Sequence, residues 1–291
     1  YKPQIFQKHM DNYDLNIICP ECRTALGTLA DGKASLPEEC SSCGFVVQSL
    51  HGVPVLGPTE DSEKLDLLEE SKTLPRQDSA GLVIPFLREA LASDELVLEL
   101  GAGVDVCDNP QLIKTDAYLY SSDLHCLADA HALPFADNSF GYVYSLAVFE
   151  HLHSPWVAAE EIWRVLKPGG KVFTLTAFMQ HMHGYPHHYF NMTTSGLRQI
   201  FKKFTIENCA PSKWSNVSEI AYILCDLNQL IHGVCTKEIQ HQKSVKEIQR
   251  SVENICKHLP PLNEFIMDNW REDEQNMQRI APAVEISATK I

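Results

Sequence analysis

Short apolar segments separated by polar turns recur along the middle of the chain and predict a series of strands. ELVLELGAG (95–103) is apolar almost throughout and ends in glycines. Such a run is typical of a strand buried on both faces of a parallel sheet, where polar residues do not alternate with apolar ones. Further strands are predicted within the segments 111–119, 124–135 and 139–152. The pattern therefore predicts at least four strands in the first part of one sheet.

A helix and a fifth strand follow directly. PWVAAEEIWRVL (155–166) has one apolar side and predicts an amphipathic helix. Pro168 ends this helix, because proline lacks an amide hydrogen, and Gly169 or Gly170 is expected to take the left-handed conformation. KVFTLTAF (171–178) then predicts a strand. Strands that alternate with helices predict a doubly wound, Rossmann-like α/β sheet, whose ligands bind beyond the carboxyl ends of the strands.

The last third of the chain predicts the rest of the sheet and an insertion into it. TTSGLRQIF (193–201) begins a helix that a threonine at its start caps, and TIENCAP (205–211) predicts a sixth strand. A seventh is predicted within 280–291, which makes a seven-stranded sheet. Between these strands, 215–279 predicts an α-helical insertion with a seam of apolar residues at three- and four-residue spacing. This seam favours a pair of helices that pack on their own domain in a monomer. The alternative is that the seam forms the contact of a homodimer.

Four cysteines near the beginning of the chain have the spacing of a metal site. The pattern C-x2-C-x17-C-x2-C supplies the four soft ligands of a closed tetrahedral site, and we expect structural Zn²⁺ there rather than catalytic zinc. The ligands would be Cys19, Cys22, Cys40 and Cys43. Two redox-active pairs, or cysteines without a shared role, are the alternatives. We predict a zinc-ribbon domain over 1–57, an acidic linker over 58–80 and the α/β domain over 81–291.

The overall charge and the distribution of apolar residues exclude some classes of function. A formal net charge of −14 argues against a broad nucleic-acid surface, which is normally basic. No apolar run reaches the 18 residues that a membrane-spanning helix needs. The first residues do not have the pattern of a signal peptide, so we expect a cytoplasmic protein.

The order of the motifs resembles that of a known enzyme family. LELGAG, TD, ADAHALPFADNSF, SLAVFEHL and RVLKPGGKVF occur in the order and spacing of class I S-adenosylmethionine-dependent methyltransferases of the type 11 group, over roughly residues 80–210. The resemblance implies that S-adenosyl-L-methionine is the cofactor. It also implies that Glu99, Gly101, Ala102 and Gly103 line the methionine end of the cofactor and that Asp116 holds its ribose.

The same resemblance assigns roles on the adjacent strands. It implies that Asp129 and Ala130 face the adenine ring, that Ser145 and Leu146 border the sulfonium, and that His151 lies nearby as a proton acceptor or as a residue packed beside the cofactor. An acid after a strand also often caps the next helix, which is the alternative for both aspartates. The spacing between Gly103 and Asp116 is too short for a full crossover helix, so a short helix or a loop is expected there.

The loop after the predicted fifth strand is rich in histidine and tyrosine. MQHMHGYPHHYFNMTTSGLRQIFKKF (179–204) leaves the carboxyl end of that strand, where α/β enzymes hold substrate. Histidine transfers protons near neutral pH, so a base is expected in this loop. The candidates, together with His151 from the previous loop, are His183, Tyr185, His187 and His188, with Tyr189 and Asn191 as orienting groups. A structural hydrogen-bonding loop and a metal site are the alternatives.

Together these features favour an enzyme. The first hypothesis is methyl transfer by in-line displacement to a hydroxyl or amine of a small molecule or sugar. The second is an rRNA or tRNA base methyltransferase whose zinc ribbon grips RNA, although the ribbon carries few basic residues. A non-catalytic interaction module is the third.

Overall fold

The computed structural model describes most of the α/β domain and most of the cysteine-rich segment that precedes it. The described residues are 13–30, 33–57, 66–72, 85–105, 107–180, 182–183, 187–212 and 283–291. The predicted insertion over 215–279 and most of the predicted linker over 58–80 lie outside these ranges.

Twelve strands and four α-helices form the described part of the chain. The strands are β1 (Asp14–Ile18), β2 (Ala25–Ala30), β3 (Lys33–Ser35), β4 (Gln48–Leu50), β5 (Val53–Val55), β6 (Val97–Leu100), β7 (Leu112–Asp116), β8 (Cys126–Leu127), β9 (Phe140–Leu146), β10 (Leu166–Ala177), β11 (Thr205–Pro211) and β12 (Ala283–Thr289). The helices are α1 (Leu68–Ser71), α2 (Pro85–Ala92), α3 (Pro155–Val165) and α4 (Thr194–Ile200), with a 3-10 turn at Phe149–His151. Among the helices in these ranges, none is long and apolar enough to cross a membrane.

The central sheet has the order β11-β12-β10-β9-β6-β7-β8-β5-β4. Strands β10, β9, β6, β7, β8 and β5 run parallel, whereas β12, β11 and β4 each pair antiparallel with a neighbour. Every residue of β6 and β7 is buried, as the apolar run at 95–103 predicts. The doubly wound, mostly parallel α/β architecture expected from the sequence is confirmed.

The strand order creates a crevice at the carboxyl edge of the sheet. From β6 the chain moves outward to β7 and β8 and then returns to β9 on the other side of β6. At such a reversal the loops after the two central strands diverge, and ligands of open α/β sheets bind between them. The loops after β6 and β9, which contain Gly101 and His151, are therefore expected to border the ligand crevice.

Two strands that the sequence analysis assigns to the ribbon belong to the central sheet instead. β5 pairs with β8 through Val55 and Leu127, and the Leu56 amide donates to the Leu127 carbonyl at 2.8 Å. The described part of the sheet therefore has nine strands, seven of them in the segments predicted and two from residues 48–55. β5 covers the short strand β8, which would otherwise leave an exposed edge.

The cysteine-rich segment is packed directly against the α/β domain. β1, β2 and β3 form a small antiparallel sheet. The Ile18 amide donates to the Pro134 carbonyl at 3.0 Å, and Leu15 and Ile17 belong to the same apolar core as Leu98 and Phe135. The cysteine-rich segment and the central sheet therefore share one hydrophobic core.

The predicted helix boundaries match the structure closely. α3 ends at Val165, and Gly169 adopts the left-handed conformation with φ of 80°. Thr193 caps α4 by accepting a hydrogen bond from the Gly196 amide at 3.1 Å. Between β6 and β7 the described residues form turns and no helix, which agrees with the short spacing between Gly103 and Asp116.

Candidate functional site

The loop after β6 is a tight turn that brings backbone close to the crevice. Gly101 and Gly103 have φ of 73° and 54°, a region that residues with a side chain rarely adopt. A Cβ on Gly101 would lie 2.3 Å from Cγ2 of Val148, in the loop after β9. The amides of Gly101 and Ala102 donate to the Thr115 carbonyl at 2.9 and 3.0 Å. Both glycines therefore suit the turn, and Gly101 is also required for the close approach of the two loops.

Asp116 fastens this turn to the end of β7. Its Oδ2 accepts a hydrogen bond from the Gly103 amide at 2.8 Å, and its Oδ1 accepts one from the Tyr118 amide at 3.0 Å. Burial raises the pKa of this carboxyl to about 6, although the amide donors act in the opposite direction. Each carboxylate oxygen can accept a second hydrogen bond, so the loop contact leaves capacity for ligand hydroxyls.

Glu99 is a buried acid beside the glycine turn. It is 4% exposed, and its Oε2 has no hydrogen-bond partner among the residues that the structure describes. Burial, followed by the nearby charge of Asp105, raises the pKa of Glu99 well above its ordinary value. A buried polar atom without a partner is costly, and in a native protein it calls for an explanation such as a functional role or a bound ion or water.

Asp129 contacts a histidine pair at the end of β8. Its Oδ1 accepts from the His131 amide at 2.8 Å and lies 2.6 Å from Nδ1 of His131. The Ser154 amide donates to Nε2 of His131 at 3.3 Å, so the proton of a neutral His131 belongs on Nδ1 and points to Asp129. Burial alone would raise the pKa of Asp129, but the hydrogen bonds from His131 outweigh it and hold that pKa below its usual range. The His131 ring stacks on His153 with centroids 4.0 Å apart.

The residues predicted to border the sulfonium differ in their surroundings. Ser145 is buried, and its hydroxyl lies 2.6 Å from that of Thr174 on β10. Leu146 is half-buried at the end of β9, and Ala130 is buried in the loop after β8. The Ser145 hydroxyl thus has a partner within the sheet.

Three of the predicted catalytic histidines lie together. The rings of His151, His183 and His188 meet edge to face, with centroid separations of 5.2 Å (151 to 183), 5.6 Å (151 to 188) and 4.5 Å (183 to 188). His187 contributes its backbone carbonyl, which lies 2.7 Å from Nδ1 of His151, while its own ring is exposed beside Tyr189. Tyr185 lies outside the described residues.

The hydrogen bonds of His188 occupy both nitrogens of its ring. The His183 amide donates to Nδ1 of His188 at 3.3 Å, so a neutral His188 carries its proton on Nε2, which lies 3.0 Å from Oδ1 of Asn191. Asn191 in turn donates to the Gln180 carbonyl at 2.9 Å. His188 and Asn191 therefore connect residues at the two ends of the loop by hydrogen bonds.

Glu150 is a site residue that the sequence analysis did not single out. Its side chain is 0% exposed; Oε2 accepts from the Thr176 hydroxyl at 2.8 Å and Oε1 from the Ala177 amide at 3.3 Å. Nε2 of His183 lies 4.0 Å from Oε1. The adjacency of Glu150 and His151 in SLAVFEHL was the available signal, but nothing in the sequence indicates that the glutamate is buried.

The four N-terminal cysteines form a second cluster on the ribbon. The Sγ atoms of Cys19 and Cys43 are 3.6 Å apart, and those of Cys22 and Cys40 are 3.7 Å apart. Zinc–sulfur bonds of about 2.3 Å in a tetrahedron place sulfurs about 3.8 Å from each other. The thiols therefore have the separation that a closed tetrahedral zinc site requires.

The turns after each cysteine pair are equivalent. The Arg23 amide donates to the Cys19 carbonyl at 2.9 Å, and the Gly44 amide donates to the Cys40 carbonyl at the same distance. Both residues have positive φ, 64° for Arg23 and 78° for Gly44. The chain thus forms two matching knuckles whose thiols face each other.

Part of the chain is similar to known proteins. Residues 93–174, which are 82 of the 291 residues, match a family model described as a methyltransferase domain. The chain is 30% identical over 93 residues to 27-O-demethylrifamycin SV methyltransferase of Amycolatopsis mediterranei (strain S699), a match that covers 30% of this chain and 32% of that protein. It is 31% identical over 98 residues to the uncharacterized protein YafE of Escherichia coli (strain K12), covering 33% of this chain and 44% of that one. The matches span less than half the length of either relative.

A solved structure with a similar arrangement is phosphoethanolamine N-methyltransferase 2 of Haemonchus contortus, with a TM-score of 0.39 and 16% identity. The similarity covers 71% of this chain and 51% of that one. The segment that matches the family model contains the glycine turn, Asp116, Asp129 and the Glu150–His151 pair, whereas the loop with His183 and His188 lies beyond it.

Proposed function

We propose that this chain is a methyltransferase that uses S-adenosyl-L-methionine and transfers the methyl group to a hydroxyl or amine of a small molecule or sugar. The observation that carries the proposal is the unpartnered Oε2 of buried Glu99 beside the glycine turn at the carboxyl edge of β6. The match of residues 93–174 to a methyltransferase domain supports it.

The residues at this edge of the sheet fit the predicted cofactor. Glu99 offers a carboxylate to an ammonium group, and the turn at Gly101, Ala102 and Gly103 allows close approach of a ligand to backbone. Asp116 retains acceptor capacity for ribose hydroxyls beyond its two amide contacts. When bound, the cofactor supplies a methyl carbon attached to a positively charged sulfur.

On the next strands, Asp129 is held in its ionised form by His131 and is available to the exocyclic amine of an adenine ring, with Ala130 beside it. Leu146, at the end of β9, is proposed to pack against the sulfonium end of the cofactor. Ser145 would act there through its backbone, because its hydroxyl contacts Thr174.

The acceptor is proposed to bind at the cluster of His151, His183 and His188. In the metal-free chain, a histidine of this cluster would take the proton of the acceptor. The hydrogen bonds favour Nε2 of His151, because its Nδ1 faces the His187 carbonyl. His188 holds the loop, since both of its nitrogens have partners within the chain.

The cysteine cluster is proposed to hold a structural Zn²⁺ ion. The sulfur separations of 3.6 and 3.7 Å fit a tetrahedral site, and four protein ligands leave no position for a reacting water. The formal charge of −14 supports a small acceptor over a nucleic acid.

Calorimetric titration of the full zinc-loaded chain with S-adenosyl-L-methionine tests the proposal. We expect binding by the wild type and at least a tenfold loss in Glu99→Gln and Asp116→Ala. Glu95→Gln is the matched control, because Glu95 precedes the amino end of β6, away from the crevice, and pairs with Lys167. No binding by the folded wild type would exclude the function as proposed.

The acceptor class requires a second assay. We expect release of S-adenosylhomocysteine on addition of hydroxylated or amino sugars and related small molecules, but not on addition of transcribed ribosomal or transfer RNA. Turnover with RNA alone would reverse the choice of acceptor while leaving the cofactor assignment intact.

A further inference from the structure

One carboxylate and two imidazoles converge beside the crevice. Glu150 and His151 lie in the 3-10 turn after β9, and His183 lies in the loop after β10, the adjacent parallel strand. Each of the three residues offers one ligand atom within 4.8 Å of the other two. The group is therefore assembled by the sheet from two separate loops rather than by one local motif.

The Glu150 carboxylate is completely buried, yet among the described residues only neutral groups donate hydrogen bonds to it. These donors are the Thr176 hydroxyl and the Ala177 amide. Within the described part of the chain, the only basic group within 4.0 Å of the carboxylate is the His183 imidazole. A buried carboxylate is stable when a positive charge or a metal ion compensates it.

His151 has the environment of a metal-binding histidine. Its Nδ1 lies 2.7 Å from the His187 carbonyl, so a neutral ring donates its Nδ1 proton there and carries its lone pair on Nε2. Histidines that bind metals usually donate their other nitrogen to a carbonyl or carboxylate, which fixes both tautomer and ring orientation. We propose that Glu150, His151 and His183 bind one divalent transition-metal ion.

The donor set defines the class of ion. Two imidazoles and one carboxylate favour zinc, iron, manganese, cobalt or nickel over magnesium and calcium, which prefer oxygen ligands. Bonds of about 2.0–2.2 Å at tetrahedral angles place ligand atoms about 3.3–3.6 Å apart. The three ligand atoms lie within 4.8 Å of one another, and Nε2 of His183 is 4.0 Å from Oε1 of Glu150. The ligands would therefore have to move closer together by up to about 1.5 Å when the ion binds.

The proposed site differs from the cysteine cluster in the number of ligands that the protein supplies. Four thiols close the coordination of an ion at the ribbon, whereas three protein ligands leave positions open. The consequence for catalysis rests on the proposed function: an acceptor hydroxyl bound at an open position would ionise near neutral pH, losing its proton to water. With the ion bound, His151 and His183 would be ligands and not bases.

Metal content of the full chain tests the site without cofactor or acceptor. The chain is incubated with excess Zn²⁺, freed of unbound ion by gel filtration and analysed by mass spectrometry for zinc per chain. We expect about two zinc ions in the wild type, one at the cysteines and one at the new site. We expect about one in His183→Ala and in Glu150→Gln.

His153→Ala is the matched control, because this exposed histidine lies two residues after His151 but stacks on His131 and is not one of the three ligands. It should keep both ions. Thermal melting confirms that each variant is folded, and His183→Ala decides the result if Glu150→Gln does not fold. One zinc in the wild type, or two in His183→Ala, overturns the proposal.

Calorimetry with S-adenosyl-L-methionine separates this result from the proposed function. A folded chain that binds the cofactor but holds only one zinc ion would retain the methyltransferase assignment and lose the second metal site. A chain that holds two zinc ions but does not bind the cofactor would keep the metal site and lose the assignment.

Discussion

Nη1 of Arg23 lies 2.8 Å from Oε2 of Glu161, although the two residues are 138 positions apart in the chain. Arg23 directly follows the first cysteine pair, and Glu161 lies on α3, which begins shortly after His151. The same carboxylate accepts from the Leu133 amide at 2.9 Å and from Arg164. One buried glutamate thus joins the ribbon, the loop after β8 and the helix beside the site.

We expect Glu161→Gln to destabilise the chain by about 1–3 kcal/mol, since the partly buried Arg164 and the Leu133 amide lose a charged partner. Arg23→Ala should cost only about 0–1 kcal/mol, because the Arg23 side chain is 41% exposed and solvent screens its charge. Urea unfolding of both variants measures the two costs. If Arg23→Ala lowered the free energy of unfolding as much as Glu161→Gln, the result would contradict this ranking.

A second prediction follows from the close approach of Gly101 to Val148. Gly101→Ala combines a left-handed φ with an overlap at 2.3 Å, so we expect a loss of about 2–4 kcal/mol in stability and weaker cofactor binding. Gly103→Ala has a left-handed φ but nothing within 4 Å of the added Cβ, and should cost about 1–2 kcal/mol.

Val148→Ala tests whether the overlap causes the difference. Combined with Gly101→Ala, it removes the Cγ2 atom that the new Cβ would meet and should recover part of the lost stability. Thermal unfolding and calorimetry measure the two effects. Additive losses in the double variant would show that the overlap is not the cause.

The raised pKa of Asp116 predicts that cofactor binding weakens in mild acid. Burial places this pKa at about 6, so Asp116 is largely ionised at pH 7.5 and largely protonated at pH 5. Protonation turns one acceptor oxygen into a donor, and ribose hydroxyls then lose a charged partner. We expect affinity to fall several-fold between these pH values.

Titrations of the wild type and Asp116→Asn across this range test the assignment. The variant should bind more weakly at pH 7.5 and should lack the change in affinity centred near pH 6. An unchanged pH profile in Asp116→Asn would assign the dependence to another group.

The sequence was sufficient for features that depend on neighbouring residues. The apolar run before Gly101 predicted a fully buried strand, and Pro168 and Gly169 predicted the end of α3, because these signals act within a few residues. The pairing of β5 with β8 was not predicted, because Val55 and Leu127 are far apart in the sequence and no local pattern links them. The burial of Glu150 likewise depends on β10 supplying Thr176 and Ala177, which no local pattern records.

Glu99 provides the most specific prediction about the cofactor site. Because burial and the charge of Asp105 raise its pKa well above the ordinary value, Glu99 is expected to hold a proton in the free chain. An ammonium group at the unpartnered Oε2 favours the ionised form, so binding of S-adenosyl-L-methionine should release a proton. Affinity should therefore rise with pH below the pKa of Glu99 in the free chain.

Calorimetry in buffers with different enthalpies of ionisation counts this proton. For the wild type at neutral pH, the observed enthalpy should vary with the buffer in the direction of proton release. Glu99→Gln, which keeps the shape of the side chain but cannot ionise, should abolish that dependence, whereas Glu95→Gln should retain it. If Glu99→Gln releases as many protons as the wild type, the ammonium group does not bind at Glu99 and another residue must hold the methionine end.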